Sequence, residues 1–270
     1  MSKRSVNKIR HPAVAGMFYP TDINVLKKDI HRYLDENEIP LHKLKNNPKA
    51  IVVPHAGYIY SGPIAATAYK YLIPLKHQIN RVVLLGPSHQ VAFKGLAVPE
   101  LDTFNTPLGN IQIDREAIKL LSDLPQVIES DVAHRDEHSL EVQLPFLQEI
   151  LGEFSLVPLV VGDAEQDEVA EVINRLWGDK HTLIVISSDL SHYHSYNEAI
   201  EMDRLTSEAI AHLQPDLIGY DHACGRNGIK GMITVAQQKD LNIEVLDLRN
   251  SGDTAGSKDR VVGYGAYVFY

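Results

Sequence analysis

Three apolar runs in this chain stop on histidine. His55 follows AIVVP, His89 follows RVVLLGPS, and His192 closes TLIVISSDLSH, with Asp189 in the same loop. An imidazole titrates near neutrality, so it can carry a proton or, when neutral, bind a metal. Pro54 and Pro87 stiffen the chain just before two of these histidines, and Gly57 and Gly86 permit close backbone approach. A single strand-end histidine is ordinarily a hydrogen-bonded turn residue. Three at equivalent positions, one beside an aspartate, point instead to a preorganised polar cluster with a metal site as its natural chemistry. No short ligand spacing such as HExxH accompanies them.

Three further groups have chemistry available. Cys224, in DHACGRNGIK, is the sole cysteine, and no intramolecular disulfide is open to it. It precedes a helical pattern, so the helix dipole would favour its thiolate as ligand or nucleophile; otherwise it is a small buried apolar side chain. Arg226 beside it would hold an anionic group or sit in solvent. The stretch HRDEHSLEVQLPF supplies Glu137 and His138. Acidic residues suit a first helical turn, but a histidine there is less easily explained and suggests a pocket-lining or supporting role. Tyr58, Tyr60, Tyr193 and Tyr196 flank the same loops, where they would line a cleft or pack at its rim.

For these residues to meet, the elements carrying them must converge. Strand patterns lie near 50–54, 81–86, 95–98, 156–161, 182–187, 243–248 and 261–269, and helical patterns near 23–36, 62–72, 114–122, 137–150, 165–177, 196–213 and 226–239. Ser195 with Glu198 forms a capping box that should open the 196–213 helix. Pro145 should kink the 137–150 helix. Continuous apolar strands such as RVVLL and TLIVI imply burial on both faces, hence a largely parallel sheet covered by helices. Ligands in such sheets bind beyond the carboxyl ends of the strands, where all three histidines would lie. The 250–260 stretch, NSGDTAGSKDR, has loop composition.

A chain of 270 residues with 44% hydrophobic and 23% charged content suits one large α/β domain. The formal charge of −9 argues against general nucleic-acid binding. No apolar core follows the basic start, and no run reaches the length of a membrane span; a soluble, cytoplasmic protein without membrane association is expected. Residues 1–9 are expected to form a flexible tail ahead of a single domain.

Taken together, RHPAVAGMFYP, VVPHAGYIYSGPIAATAY, VVLLGPSH, DEHSLEVQLPFLQ, SSDLSHY, CGRNGI and GDTAGSKDRVVGYGAY resemble the Memo family, also called AmmeMemoRadiSam system protein B. These motifs run in order from Arg10 to Tyr267. The family is similar in fold to the LigB-like class III extradiol dioxygenases, within a phosphorylase/hydrolase-like architecture. The resemblance therefore implies a single α/β domain with a central mixed sheet and a metal pocket at one end. By motif it assigns His55, His89 and Cys224 as metal ligands, and His192, with Asp189 close by, as the acid/base pair. A thiolate here replaces the dioxygenases' carboxylate, a softer donor set that suits Fe(II), copper or zinc. Fe(II) is the metal implied, for a dioxygenase-like oxidoreductase if the chain is catalytic. The implied partners are an AMMECR-type protein and a radical SAM protein, with a small molecule or a peptide as ligand. A non-catalytic module capturing a (phospho)peptide in the tyrosine-lined cleft, with Arg226, is the competing reading, and a zinc hydrolase is a third.

Overall fold

The structure, a computed structural model, describes residues 8–36 and 47–270. In chain order these form β1 (Ile9–Arg10), α1 (Ile23–Asp35), β2 (Ala50–Val53), α2 (Tyr58–Lys70), β3 (Arg81–Pro87), β4 (Leu96–Val98), β5 (Thr103–Thr106) and β6 (Gly109–Ile113). There follow α3 (Arg115–Lys119), β7 (Val127–Glu129), α4 (Asp131–Arg135), α5 (His138–Glu141), α6 (Leu144–Leu151), β8 (Ser155–Val161) and α7 (Gln166–Arg175). The chain closes with β9 (Thr182–Ser187), β10 (His192–His194), α8 (Tyr196–Ala211), α9 (Arg226–Gln238), β11 (Ile243–Asn250) and β12 (Val261–Phe269).

The strands form one mixed sheet in the order β1-β5-β6-β8-β3-β9-β2-β12-β10, with β11 on β12 and β4 joining β8 to β7. Its centre is parallel: β3 pairs in parallel with both β8 and β9, and β9 with β2. Every residue of β2 and β9 is buried, as their uninterrupted apolar sequences require of strands covered on both faces. The expected single α/β domain is the observed one.

The two covers can be assigned from the glycines. A side chain at Gly86 would strike Ser139 and Leu140, at the α5 position, whereas one at Gly228 on α9 would meet Ile186. Leu85 pairs with Ile186, and side chains alternate along a strand, so Gly86 and Ile186 face opposite ways. Therefore α5 and α9 lie on opposite faces of the sheet. Helix α7 packs on α9, while α1 and α6 pack on α2.

Local chemistry sets the helix ends. Asp22 caps α1 by accepting from the N–H groups of Asn24 and Val25 at 2.9 and 3.0 Å, and Ser195 caps α8 as expected, with Glu198 accepting from its N–H at 3.2 Å. The expected 137–150 helix is instead two, α5 and α6, with Pro145 in the first turn of α6. Proline there forfeits nothing, because first-turn N–H groups have no intrahelical partner. The break frees Gln143 to point its side chain inward.

The expected 1–9 tail needs correction. Residues 1–7 lie outside the described residues, but Ile9 pairs with Thr103, and the Lys8 carbonyl accepts from Asp102 and Thr103. Among the described residues no helix is long and apolar enough to cross a membrane.

Candidate metal centre

The adjacent strands β2, β3 and β9 release their chains at one rim of the sheet. His55 lies two residues beyond β2 and His89 two beyond β3, while the loop after β9 carries Asp189 and reaches His192 at the start of β10. His138, the first residue of α5, enters the same space. Its ring stacks on His89 at 4.5 Å between centroids, and His55 meets both edge-on at 5.2 and 5.5 Å. One ligand atom from each of His55, His89 and His138 lies within 4.8 Å of the others. These three residues form a group able to hold a metal ion.

Hydrogen bonds decide which ring nitrogen each histidine presents. Ser187 Oγ donates to the Ser139 carbonyl at 2.6 Å, so its proton is committed. It accepts from Gln143 Nε2 at 2.7 Å and faces His55 Nδ1 at 2.9 Å. His55 Nδ1 must then carry the proton, leaving the Nε2 lone pair free. His89 follows the same logic: Glu137 Oε1 accepts from Nδ1 at 2.8 Å, and Glu137 Oε2 accepts from the His89 backbone at 2.6 Å. An imidazole oriented through one nitrogen by a carboxylate or hydroxyl, with the other left bare, is the arrangement that metal-binding histidines adopt.

Charge in the cluster is held in the same direction. Burial pushes His55 well below the ordinary histidine range, and neighbouring His89 and His138 add to this. Burial and His89 likewise lower His138, against the pull of Glu137 and Asp189. Neutral imidazoles are what a metal requires. Burial alone would raise Glu137, but the hydrogen bonds from His89 and Ser139 outweigh it and bring the carboxyl to about 2. Asp189 is buried and accepts from His55 N–H at 2.7 Å; burial raises its carboxyl.

Cys224 Sγ lies 3.3 Å from His55 Nε2. Two neighbouring donors at ~2.0 Å (nitrogen) and ~2.3 Å (sulfur) from one zinc-like ion stand about 3.1–3.6 Å apart, so this pair fits without movement. Three imidazoles at ~2.0 Å would stand about 3.3 Å apart in a tetrahedron, so the histidine trio must close inward on loading. Of the two readings of this thiol, the buried side chain fits and dipole activation does not. Burial and the Asp189 carboxylate raise it, against hydrogen bonds from Asp189 N–H, Ser188 and Gly225. The residue also stands one position before the Gly225 cap of α9, outside the first turn.

Two expected pocket residues lie elsewhere. Tyr58 is buried, its ring against Tyr19 and Phe146 and its hydroxyl donating to the Val142 carbonyl at 2.8 Å; Tyr60 lines the cleft in its place. Arg226 lies over the Tyr220 ring at 4.2 Å, in a separate cleft of about 280 Å³ that Cys224 also borders. The imidazoles open into another cleft, of about 620 Å³, shared with Asp189, His192 and Tyr193. Tyrosines and Arg226 thus do not make one binding surface.

Sequence reasoning missed the residues that brace the site. The buried Arg10 donates to Glu141 Oε2 at 2.6 Å and to the backbone carbonyls of His134 and Glu137. Glu141 also accepts from Ala13, Val14 and Tyr19. The N-terminal segment is thereby fastened to the turn that presents Glu137 and His138. The signal was there: Glu141 and Gln143 are polar residues set among the apolar Leu140, Val142 and Leu144.

Comparison with known proteins places these features in a wider set. A family model described as Memo-like protein matches residues 10–268. A MEMO1 family protein of Aquifex aeolicus (strain VF5) is 39% identical over 97% of this chain and 99% of its own length. One from Ignicoccus hospitalis is 36% identical over 97% and 98%. Among solved structures, uncharacterized protein JW3007 from Escherichia coli K12 overlays with a TM-score of 0.48 at 14% identity, covering 80% of this chain and 98% of that one.

Proposed function

Since this chain belongs to the Memo family, we propose that it is a metalloprotein in which His55, His89 and His138 hold one transition-metal ion with Cys224 as a further donor. The observation that carries this reading is the pair of committed Nδ1 positions, on Ser187 and on Glu137, which leave the two Nε2 atoms as the ligating positions beside a third imidazole. Three nitrogens and a sulfur form a donor set compatible with Fe(II), copper or zinc. Iron is the metal of this proposal, and when bound it would supply one-electron chemistry and open coordination positions for an organic hydroxyl.

The chain's own residues would do the rest. Ser187 and Glu137 hold the two imidazoles in the ligating tautomer, and Asp189 anchors His55 through its backbone. His192, in the cleft wall, would take a proton from a ligand hydroxyl, as a positioned imidazole can. Tyr60 and Tyr193 would wall in a flat organic ligand. The separation of Arg226 from the tyrosines removes the main support for the phosphopeptide reading.

Purification without oxygen, followed by metal analysis and Co(II) substitution, tests the proposal. One metal per chain is expected, with an absorption band for sulfur-to-cobalt charge transfer that disappears in Cys224→Ser. His89→Ala should lose metal affinity by at least about tenfold. No bound metal, or equal uptake by His89→Ala, would end it.

A further inference from the structure

Gln143 stands in the break between α5 and α6, and its buried side chain bonds to partners from other segments. Its Nε2 donates to the Pro54 carbonyl at 3.0 Å and to Ser187 Oγ at 2.7 Å, and its Oε1 accepts from the Tyr69 hydroxyl at 2.8 Å. A carbonyl cannot donate, so the NH₂ end must face Pro54, and that contact alone fixes which way the amide points. Tyr69, on α2, stacks on Phe146 at 4.8 Å, and burial keeps its phenol protonated and therefore able to donate.

Two of these contacts converge on His55. Pro54 is the residue before it, and Ser187 is the group its ring faces. Ser187 Oγ gives its own proton to the Ser139 carbonyl at 2.6 Å and accepts from Gln143, so one lone pair remains for His55 Nδ1 at 2.9 Å. We propose that Gln143 is the positioning residue for His55: one amide holds both the peptide that carries the imidazole and the hydroxyl that selects its Nδ1–H form. This rests on the reading that His55 Nε2 is a metal donor. Without Gln143, the Pro54 carbonyl and Ser187 each lose a donor, and the hydroxyl is free to rotate and turn its proton toward the ring. The imidazole then carries its hydrogen on Nε2, the position a metal needs bare. His89 is held separately, by Glu137 through both carboxylate oxygens, so the loss of Gln143 should leave it in place.

The readout is the site of the ring proton in metal-free protein carrying isotope-labelled histidine. Above neutral pH, long-range proton–nitrogen spectra separate the Nδ1–H from the Nε2–H form, and signals lost in His55→Ala and His89→Ala assign the two rings. Wild type should hold both rings as Nδ1–H. Gln143→Met, of similar volume, should move a substantial share of His55 to the Nε2–H form, leave His89 unchanged, and weaken Zn(II) binding by at least about tenfold. Tyr69→Phe removes a partner of the amide but keeps the Pro54 contact, so its His55 signals should match wild type even where it melts lower. An Nε2–H His55 in wild type, which needs no variant to be seen, would overturn the proposal. So would wild-type His55 signals in Gln143→Met, or an equal shift at His89 or in Tyr69→Phe, the mark of general loosening. If wild type takes up no Zn(II) while Gln143→Met still moves the His55 proton, the metal reading falls and the positioning role of Gln143 stands.

Discussion

Replacing Glu137 by glutamine should loosen His89 while the fold persists. The carboxylate uses its two oxygens on different donors. Oε2 accepts from His89 N–H at 2.6 Å, and Oε1 accepts from His89 Nδ1 at 2.8 Å and from Ser139 N–H at 2.9 Å. Glutamine has one oxygen, so whichever way its amide turns, an NH₂ group confronts an N–H donor. A buried donor left unpaired costs ~1–3 kcal/mol, which for a domain of this size is a fall in Tm of about 2–10 °C. The second effect is on the metal. With its Nδ1 partner compromised, His89 loses its fixed orientation and some basicity at Nε2, and outer carboxylates of this type are worth about 10–100-fold in affinity. Apo-protein titrated with Zn(II) against a chromophoric chelator measures this, with melts in excess EDTA run in parallel. Affinity should fall in the order wild type, Glu137→Gln, His89→Ala. A Glu137→Gln variant that melts lower but binds Zn(II) like wild type would refute the reasoning, because the carboxylate would then only brace a loop.

Three other perturbations follow from the same contacts. Glu141→Gln should cost about 3–5 kcal/mol in denaturant unfolding, since it strands the buried Arg10 charge and turns an NH₂ toward two donors; a loss within error of zero would contradict the buried-pair account. A methyl at Gly86 would lie 2.7 Å from Ser139 Oγ and 2.9 Å from Leu140 Cδ2, so Gly86→Ala should push α5 off β3. The expected cost is ~1–3 kcal/mol together with weaker Zn(II) binding, and unchanged melting and affinity would count against it. Asp203, buried on α8 and accepting from Ser191 N–H at 3.0 Å, is pushed by burial from the ordinary 3.8 up to about 6. The native state then holds this proton more tightly than the unfolded chain. Its contribution to stability therefore falls as pH rises from 3.8 to about 6, by up to ~3 kcal/mol, and is level above that. The stability difference between wild type and Asp203→Asn across that range should follow this curve; a difference that does not vary with pH would refute it.

Much of this protein was legible along the chain. The apolar runs that became β2, β3 and β9 announced strands buried on both faces, and such strands lie parallel at the middle of a sheet with their carboxyl ends on one rim. That alone placed His55 and His89 together. Short strands escaped notice: β5 and β6 read TFNT and GNIQI, too brief and too polar to show a period.

Only the tertiary structure decided the rest. His138 joins the cluster because Pro145 begins a new helix and Arg10, far away in sequence, pins the turn before it. Tyr58 turns into the core while Tyr60 reaches the cleft, an outcome set by helix phase and by the Val142 carbonyl that Tyr58 satisfies. The tautomers of His55 and His89 depend on Ser187 and Glu137, which come from other segments. Strand burial is a property of adjacent residues and can be read locally. The direction of a side chain and the proton it carries depend on partners that folding alone brings within hydrogen-bonding distance.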